Sequence, residues 1–421
     1  MTNALQFNPI GEGASLKSLS DSRFKTMRVS VNMLVPLTEK TAAAYALLPS
    51  LVSRATRQYP DYTALNCRLS ELYGASLSSS VRKFGSFQSI GLSASGIADR
   101  YAFGGENMLE ELSGLLFSVI FSPLQDAQGL FPLDGFTQEK RQLLEMKDAE
   151  YNDKMTYAHQ RCEEILFQGQ QAGINRCGSR ADIEALKREG LLSAWEELLR
   201  TARFEIFTLG DCDPNPALFL EKFGAMGLSR SLEQVPYREP GEVRRVTEEQ
   251  PLSQSKLSMG FRLDAKPRER MLFQLMSAVL GGTPSSRLFQ NVREKMSLCY
   301  YCSSSFSSVG NALYVESGVE TANLEKTEEA VLEQLQALQR GEVTEEDLTF
   351  AKLALCNALH SVGDSLGAVE NWYLSRTFDQ PEQSPDMAAE QLMGYKVQDV
   401  IEAANRLRLD TVYRLKGNGG D

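Results

Sequence analysis

Residues 292–303, VREKMSLCYYCS, close an amphipathic helical run and open a stretch whose alternation reads as a β-strand. They line up with residues 69–80, LSELYGASLSSS, where a helical run likewise stops, at Gly74, before strand-like alternation begins. Working outward, the match extends on both sides. MRVSVNMLVPL (27–37) alternates like a strand, EKTAAAYALLPSLVSRA (39–55) is an apolar helical run, and SLSSSVRKFG (76–85) and FQSIGLSASG (87–96) are two more strands. The same order returns in KLSMGFRLD (256–264), ERMLFQLMSAVLGG (269–282), SRLFQNVREKMS (286–297), LCYYCSSSFSS (298–308) and NALYVESGV (311–319). An offset of roughly 220 residues between like-ordered elements is the mark of a duplicated unit.

Each half then continues into helices. Thr137 is expected to cap QEKRQLLEMKDAEYND, and Thr344 to cap EEDLTFAKLALCNALH, because a hydroxyl followed by acidic first-turn residues satisfies free amides and suits the helix dipole. Between the halves, residues 226–255 carry turn formers and charges with little period, and Arg244-Arg245 within them reads as solvated linker. The expected fold is α+β: two duplicated domains of antiparallel sheet plus helices, residues 1–225 and 256–421, facing each other across a cleft.

The chain has 421 residues, 42% of them hydrophobic, enough for two cores. A net charge of −11 argues against a generic nucleic-acid or anionic-membrane partner. No window approaches 18 consecutive apolar residues and the first 25 lack a signal-peptide core, so a soluble cytoplasmic protein is expected. Seven cysteines, an odd number, fit free thiols in a reducing compartment.

Three constellations compete for chemistry. Cys299 and Cys302 are three apart on a strand with side-chain period two, so they are expected to point to opposite faces and to be structural. His159, Cys162 and Glu163, at i, i+3 and i+4 of a helix, form a conceivable metal-ligand set, with ordinary helix-face residues as the simpler reading. His360, the other of the two histidines, lies in an apolar run and is expected to pack or cap there. Arg293 and Tyr300 lie either side of a helix-to-strand turn that can bring both to one rim of a sheet.

The phrase GGTPSSRLFQNVREKMSLCYYCSSS (281–305) resembles the second-domain signature of the insulinase and pitrilysin-type metallopeptidases, the inverzincins. The resemblance takes in the duplicated order and the linker position, and so spans nearly the whole chain. It implies that Arg293 and Tyr300 are substrate-binding residues, a guanidinium fork and a phenol suited to a peptide carbonyl and the oxyanion it becomes. It also implies an H-x-x-E-H zinc motif on the first long helix, with two histidines on one face and a glutamate as general base. The corresponding window is ALLPS: Ala46 and Ser50 occupy the histidine places and Pro49 the glutamate place, and none can do the work. A further carboxylate ligand is expected near Glu145.

The resemblance therefore points to a zinc-less member with no catalytic residue of its own, no metal and no cofactor in this chain. Its partners would be a zinc-bearing homologue, which holds the metal and general base, and an extended peptide paired along a sheet edge. An alternative is a stand-alone peptide-binding or scaffold protein descended from a peptidase; the motif pattern is similar to the group associated with 5-aminopentanol modification of elongation factor P. An autonomous metalloenzyme built on His159, Cys162 and Glu163 is the third reading.

Overall fold

The computed structural model describes residues 5–418. Eleven strands among these residues form two sheets. The first contains β1 (Gln6–Pro9), β2 (Ala14–Ser20), β3 (Thr26–Pro36), β4 (Ser76–Phe84), β5 (Phe87–Ile97) and β6 (Arg203–Gly210), in the order β1-β2-β6-β3-β5-β4. The second contains β7 (Arg244–Gln250), β8 (Ser255–Arg262), β9 (Cys299–Ser307), β10 (Ala312–Val319) and β11 (Arg408–Gly417), in the order β7-β11-β8-β10-β9.

Apart from the short edge strand β1, the two sheets have one topology. β2 runs parallel to β6 as β7 does to β11, and every other neighbouring pair is antiparallel. Each sheet is thus mixed rather than wholly antiparallel. The reason is chain path: a parallel neighbour needs a long crossover, and β6 and β11 return only after a run of helices. The aligned turns also agree, since Tyr73 and Gly74 (φ 56° and 75°) precede β4 and Ser297 (φ 51°) precedes β9.

Five helices bear on function: α1 (Glu39–Val52), α2 (Tyr62–Glu71), α3 (Met108–Phe121), α4 (Leu133–Asn152) and α5 (Lys154–Leu166). α1 is buried nearly all round, through Ala42, Ala43, Tyr45, Ala46, Leu47, Leu48, Leu51 and Val52. An apolar helix with no wet face belongs in a core, and it joins β3, β5 and α3 in one cluster. α4 begins at Leu133, a turn before the position read as its cap. Thr137 is inside it and donates its hydroxyl to the Leu133 carbonyl at 2.8 Å, the local alternative open to a mid-helix threonine. Thr344 does cap its helix, Glu345–His360, in a reciprocal box with Asp347.

By mutual packing the chain divides into two units: residues up to Asp148 together with Ile174–Leu232, and Ala149–Gly173 together with residues from Glu233 on. These are not the boundaries read from composition. The segment expected to be linker contains β7, whose Arg244 and Arg245 bind Asp410 and Glu328. α5, which precedes β6 in the chain, packs on the second sheet. Its residues Ala158, Cys162 and Leu166, one helical face, meet Tyr314, Tyr413 and Leu415. Gly260 of β8 makes this approach possible, since a Cβ there would lie 3.2 Å from Leu166 Cδ2 and 3.3 Å from Cys162 Sγ. Tyr157 of α5 and Tyr413 of β11 both donate to the Glu248 carboxylate, at 3.0 and 2.7 Å.

Candidate functional site

The helix face that would carry a metal motif opens on a cavity of about 250 Å³, lined by Ala46 and Ser50 of α1, Ser79 and Ser80 of β4, Glu139, Gln142 and Met146 of α4, and Arg176. α1 runs through Pro49 to Val52, although proline withholds the amide that would have bonded a turn back. Ala46 has no donor atom. Ser50 Oγ lies 3.4 Å from Ser79 Oγ, a neutral contact. Glu139 is the one acidic residue in the lining, and its Oε1 accepts from Arg54 Nη1 at 2.8 Å, with both groups largely buried. A cation placed here would meet two guanidinium groups, Arg54 through Glu139 and Arg176 in the wall, and no imidazole; the one thiol in the wall, Cys177, is buried in the core. The donor set does not fit zinc.

Glu145 does not face this space. It lies on the outer side of α4, 3.6 Å from Arg141, both well exposed. Positions 139, 142 and 146 share a helical face, and 145 does not. Of the residues of α4 near Glu145, Glu139, Gln142 and Met146 line the cavity and Glu145 does not.

The third ligand set is also dispersed. Cys162 is wholly buried against β8, where burial pushes its thiol up to about 12. His159 Nδ1 is 2.6 Å from Glu316 Oε1 and its ring meets Tyr314 edge-on at 4.6 Å. Among the described residues no three His, Cys, Asp or Glu side chains are grouped to hold a metal ion.

Arg293 and Tyr300 belong to the second unit. The helix Arg270–Ser277 continues through Gly282 in wide π-type turns, and a second wide-turned segment, Leu288–Lys295, carries Arg293. Such turns are rare and recur at functional sites. Leu288 and Val292 anchor the segment in the core, leaving Arg293 half-exposed. Its guanidinium stacks 4.4 Å over the Phe289 ring and reaches Glu294 at 3.6 Å. Tyr300, on the edge strand β9, is 58% exposed, between the half-buried Cys299 and Tyr301.

The β9 register explains that exposure and overturns one expectation. Val319 pairs with Cys299 and Gly318 with Tyr301, so Tyr300 has no partner across the ladder: it is the extra residue of a β-bulge. Residues opposite one another share a face. Cys299, opposite Val319, and Cys302, opposite Ser317, therefore lie on the same face, not on opposite ones. Period-two counting fails across a bulge. The two thiols hydrogen-bond each other. That bond, helped by the Ser317 hydroxyl and the Arg293 charge and opposed by partial burial, brings the Cys299 thiol down to about 7, while donating it, together with burial, keeps Cys302 well above the ordinary range. One cue was present in the sequence, Gly318, where a Cβ would sit 2.4 Å from the Tyr301 ring.

Comparison with known proteins finds one matching family model and several relatives. Residues 185–355 match the family described as Peptidase M16 inactive domain. The chain is 27% identical over 416 residues to the probable inactive metalloprotease YmfF of Bacillus subtilis (strain 168), with 97% of each covered. A solved structure of a conserved protein from Enterococcus faecalis V583 superposes with a TM-score of 0.90 at 26% identity, covering 100% of both chains. A peptidase M16 inactive domain from Pseudomonas fluorescens gives a TM-score of 0.79 at 15% identity over 98% of both.

Proposed function

We propose, from the premise that this chain is a homologue of the M16 peptidases, that it is the non-catalytic half of a peptidase pair. It offers Arg293 and Tyr300 to an extended peptide, while a zinc-bearing homologue holds the metal and the general base. The observation that carries this reading is the contrast between the two candidate positions. On α1 the motif places hold Ala46, Pro49 and Ser50, and the neighbouring carboxylate is already engaged by Arg54. On the second unit the guanidinium and phenol are retained and accessible.

Chemically, the two donors suit one task. A peptide carbonyl becomes an oxyanion as a tetrahedral intermediate forms, and donors aimed at that oxygen are worth about 10²–10³-fold in rate each. A guanidinium fork and a phenol can each give hydrogen bonds to that oxygen without transferring a proton. Neither can activate water, which is why a partner is required.

The test is to assay peptide cleavage by this chain alone, by a zinc-motif homologue from the same source alone, and by the mixture. Activity confined to the mixture supports the pair. Full activity of the homologue alone, indifferent to this chain, contradicts it. The scaffold reading predicts a different companion on native co-purification, a modification enzyme or elongation factor P in place of a zinc-bearing homologue.

A further inference from the structure

We propose that Cys299 and Cys302 form a reversible dithiol–disulfide pair that clamps the bulge at Tyr300. Three residues along a regular strand span about 10 Å, far beyond the reach of a disulfide. The bulge changes that distance. Because Cys299 and Cys302 stand opposite Val319 and Ser317, two residues apart, their separation follows a two-residue rise of about 6.6 Å, at the upper end of the disulfide range. Both side chains are on the core side of the edge strand, Cys302 buried and Cys299 half-buried at its end. The Ser317 hydroxyl, which donates to the Tyr301 carbonyl at 2.8 Å, lies against both sulfurs.

The pair is asymmetric in the way stepwise oxidation needs. Cys299 is the accessible sulfur, with Arg293 beside it and its thiol near 7; Cys302 is the enclosed sulfur that keeps its proton. With a hydroperoxide as oxidant, the Cys299 thiolate takes the terminal oxygen and becomes a sulfenic acid, releasing alkoxide or hydroxide. Cys302 then attacks the sulfenic sulfur, the S–S bond forms, and hydroxide leaves, taking up the thiol proton as water. The two sulfurs give up two electrons in all and the peroxide is reduced by two. A small dithiol reverses the step by exchange. This inference stands whether or not the chain pairs with a zinc-bearing homologue, since it concerns only β9, β10 and the Arg293 segment.

The probe is hydrogen peroxide on the reduced full-length chain at pH 7, followed by alkylation and peptide mass mapping. The exposed Cys67 serves as internal reference. About half of a thiol near 7 is thiolate at this pH, so Cys299 is expected to react about ten-fold faster than the reference Cys67. Cys299 and Cys302 should lose alkylation together, with a loss of two hydrogens from their peptide, and regain it with dithiothreitol. Cys302→Ser should leave Cys299 to proceed to sulfinic acid. Cys299 passing to sulfinic acid in the unaltered chain while Cys302 stays alkylatable, or both sulfurs reacting no faster than Cys67, would overturn the proposal. The result on the unaltered chain decides by itself if the variant does not fold.

Discussion

At the scale of single residues, the region around Tyr300 concentrates the chemistry. An extra residue in β9 turns a phenol outward, brings two thiols to one side, and sets one of them beside Arg293. A first prediction follows from the Cys299 thiol. Its alkylation rate should rise through an inflection about 7, because deprotonation makes the nucleophile. Cys302→Ala removes the hydrogen bond that contributes most to that shift, and should move the inflection upward; an unchanged profile would mean that Cys302 is not the donor. The sequence offers Arg293 and Tyr300 only through a resemblance carried by a long phrase. The bulge was not legible there, because it is a relation between strands, and only the partner register of β10 reveals that one residue of CYYC is left over.

At the scale of elements, α5 and the strands it covers hold the second unit together. Gly260→Val would place a branched side chain where Cys162 and Leu166 already lie against β8. Overpacking of this kind costs about 1–3 kcal/mol, to be read as a lowered denaturation midpoint, with the buried Cys162 becoming accessible to alkylation first. A midpoint unchanged from the parent would show that α5 does not rest on β8 as described.

Asp410 of β11 ties three strands by accepting from Arg244 of β7 and from Arg262 Nε of β8, the latter at 2.8 Å. Burial works to raise this carboxyl, but the bonds from Arg244, Thr411 and Arg262 outweigh it and the net shift is downward. Its folded value being below its unfolded one, the stabilisation is complete above about pH 4 and is lost as pH falls through the folded value. Asp410→Asn should flatten the acid limb of the stability curve and, at neutral pH, cost about 3–5 kcal/mol by leaving Arg262 buried without its counter-charge. Equal acid sensitivity in both proteins would assign that limb to other carboxylates.

Strand and helix identities were largely visible in the periodicity, from β3 to β10. The elements misread were those whose fate is set by distant partners. β7 looks like linker because its charges are paired with Asp410 and Glu328 far along the chain. Thr137 looks like a cap because its competition with the helix backbone is local in sequence and invisible without the start at Leu133.

At the scale of the whole molecule, two sheets of one topology carry different side chains on corresponding helices. The α1 cavity has the wrong chemistry for a metal centre, with a largely buried Arg54–Glu139 pair and serine hydroxyls in its wall. The duplication itself was legible from aligned turns, and the vacancy on α1 from three residues in ALLPS. That Glu139, Gln142 and Met146 line the cavity while Glu145 does not was not legible, since it depends on which face of α4 turns inward. The central claim is that this chain contributes donors and no metal to a peptidase pair. It is tested most directly by the single-turnover cleavage rate of the mixture with a zinc-bearing homologue, comparing the parent chain with Arg293→Ala and Tyr300→Phe. Each variant should slow cleavage by about 10²–10³-fold while the zinc content of the mixture stays the same. A rate unaffected by both substitutions would contradict the account.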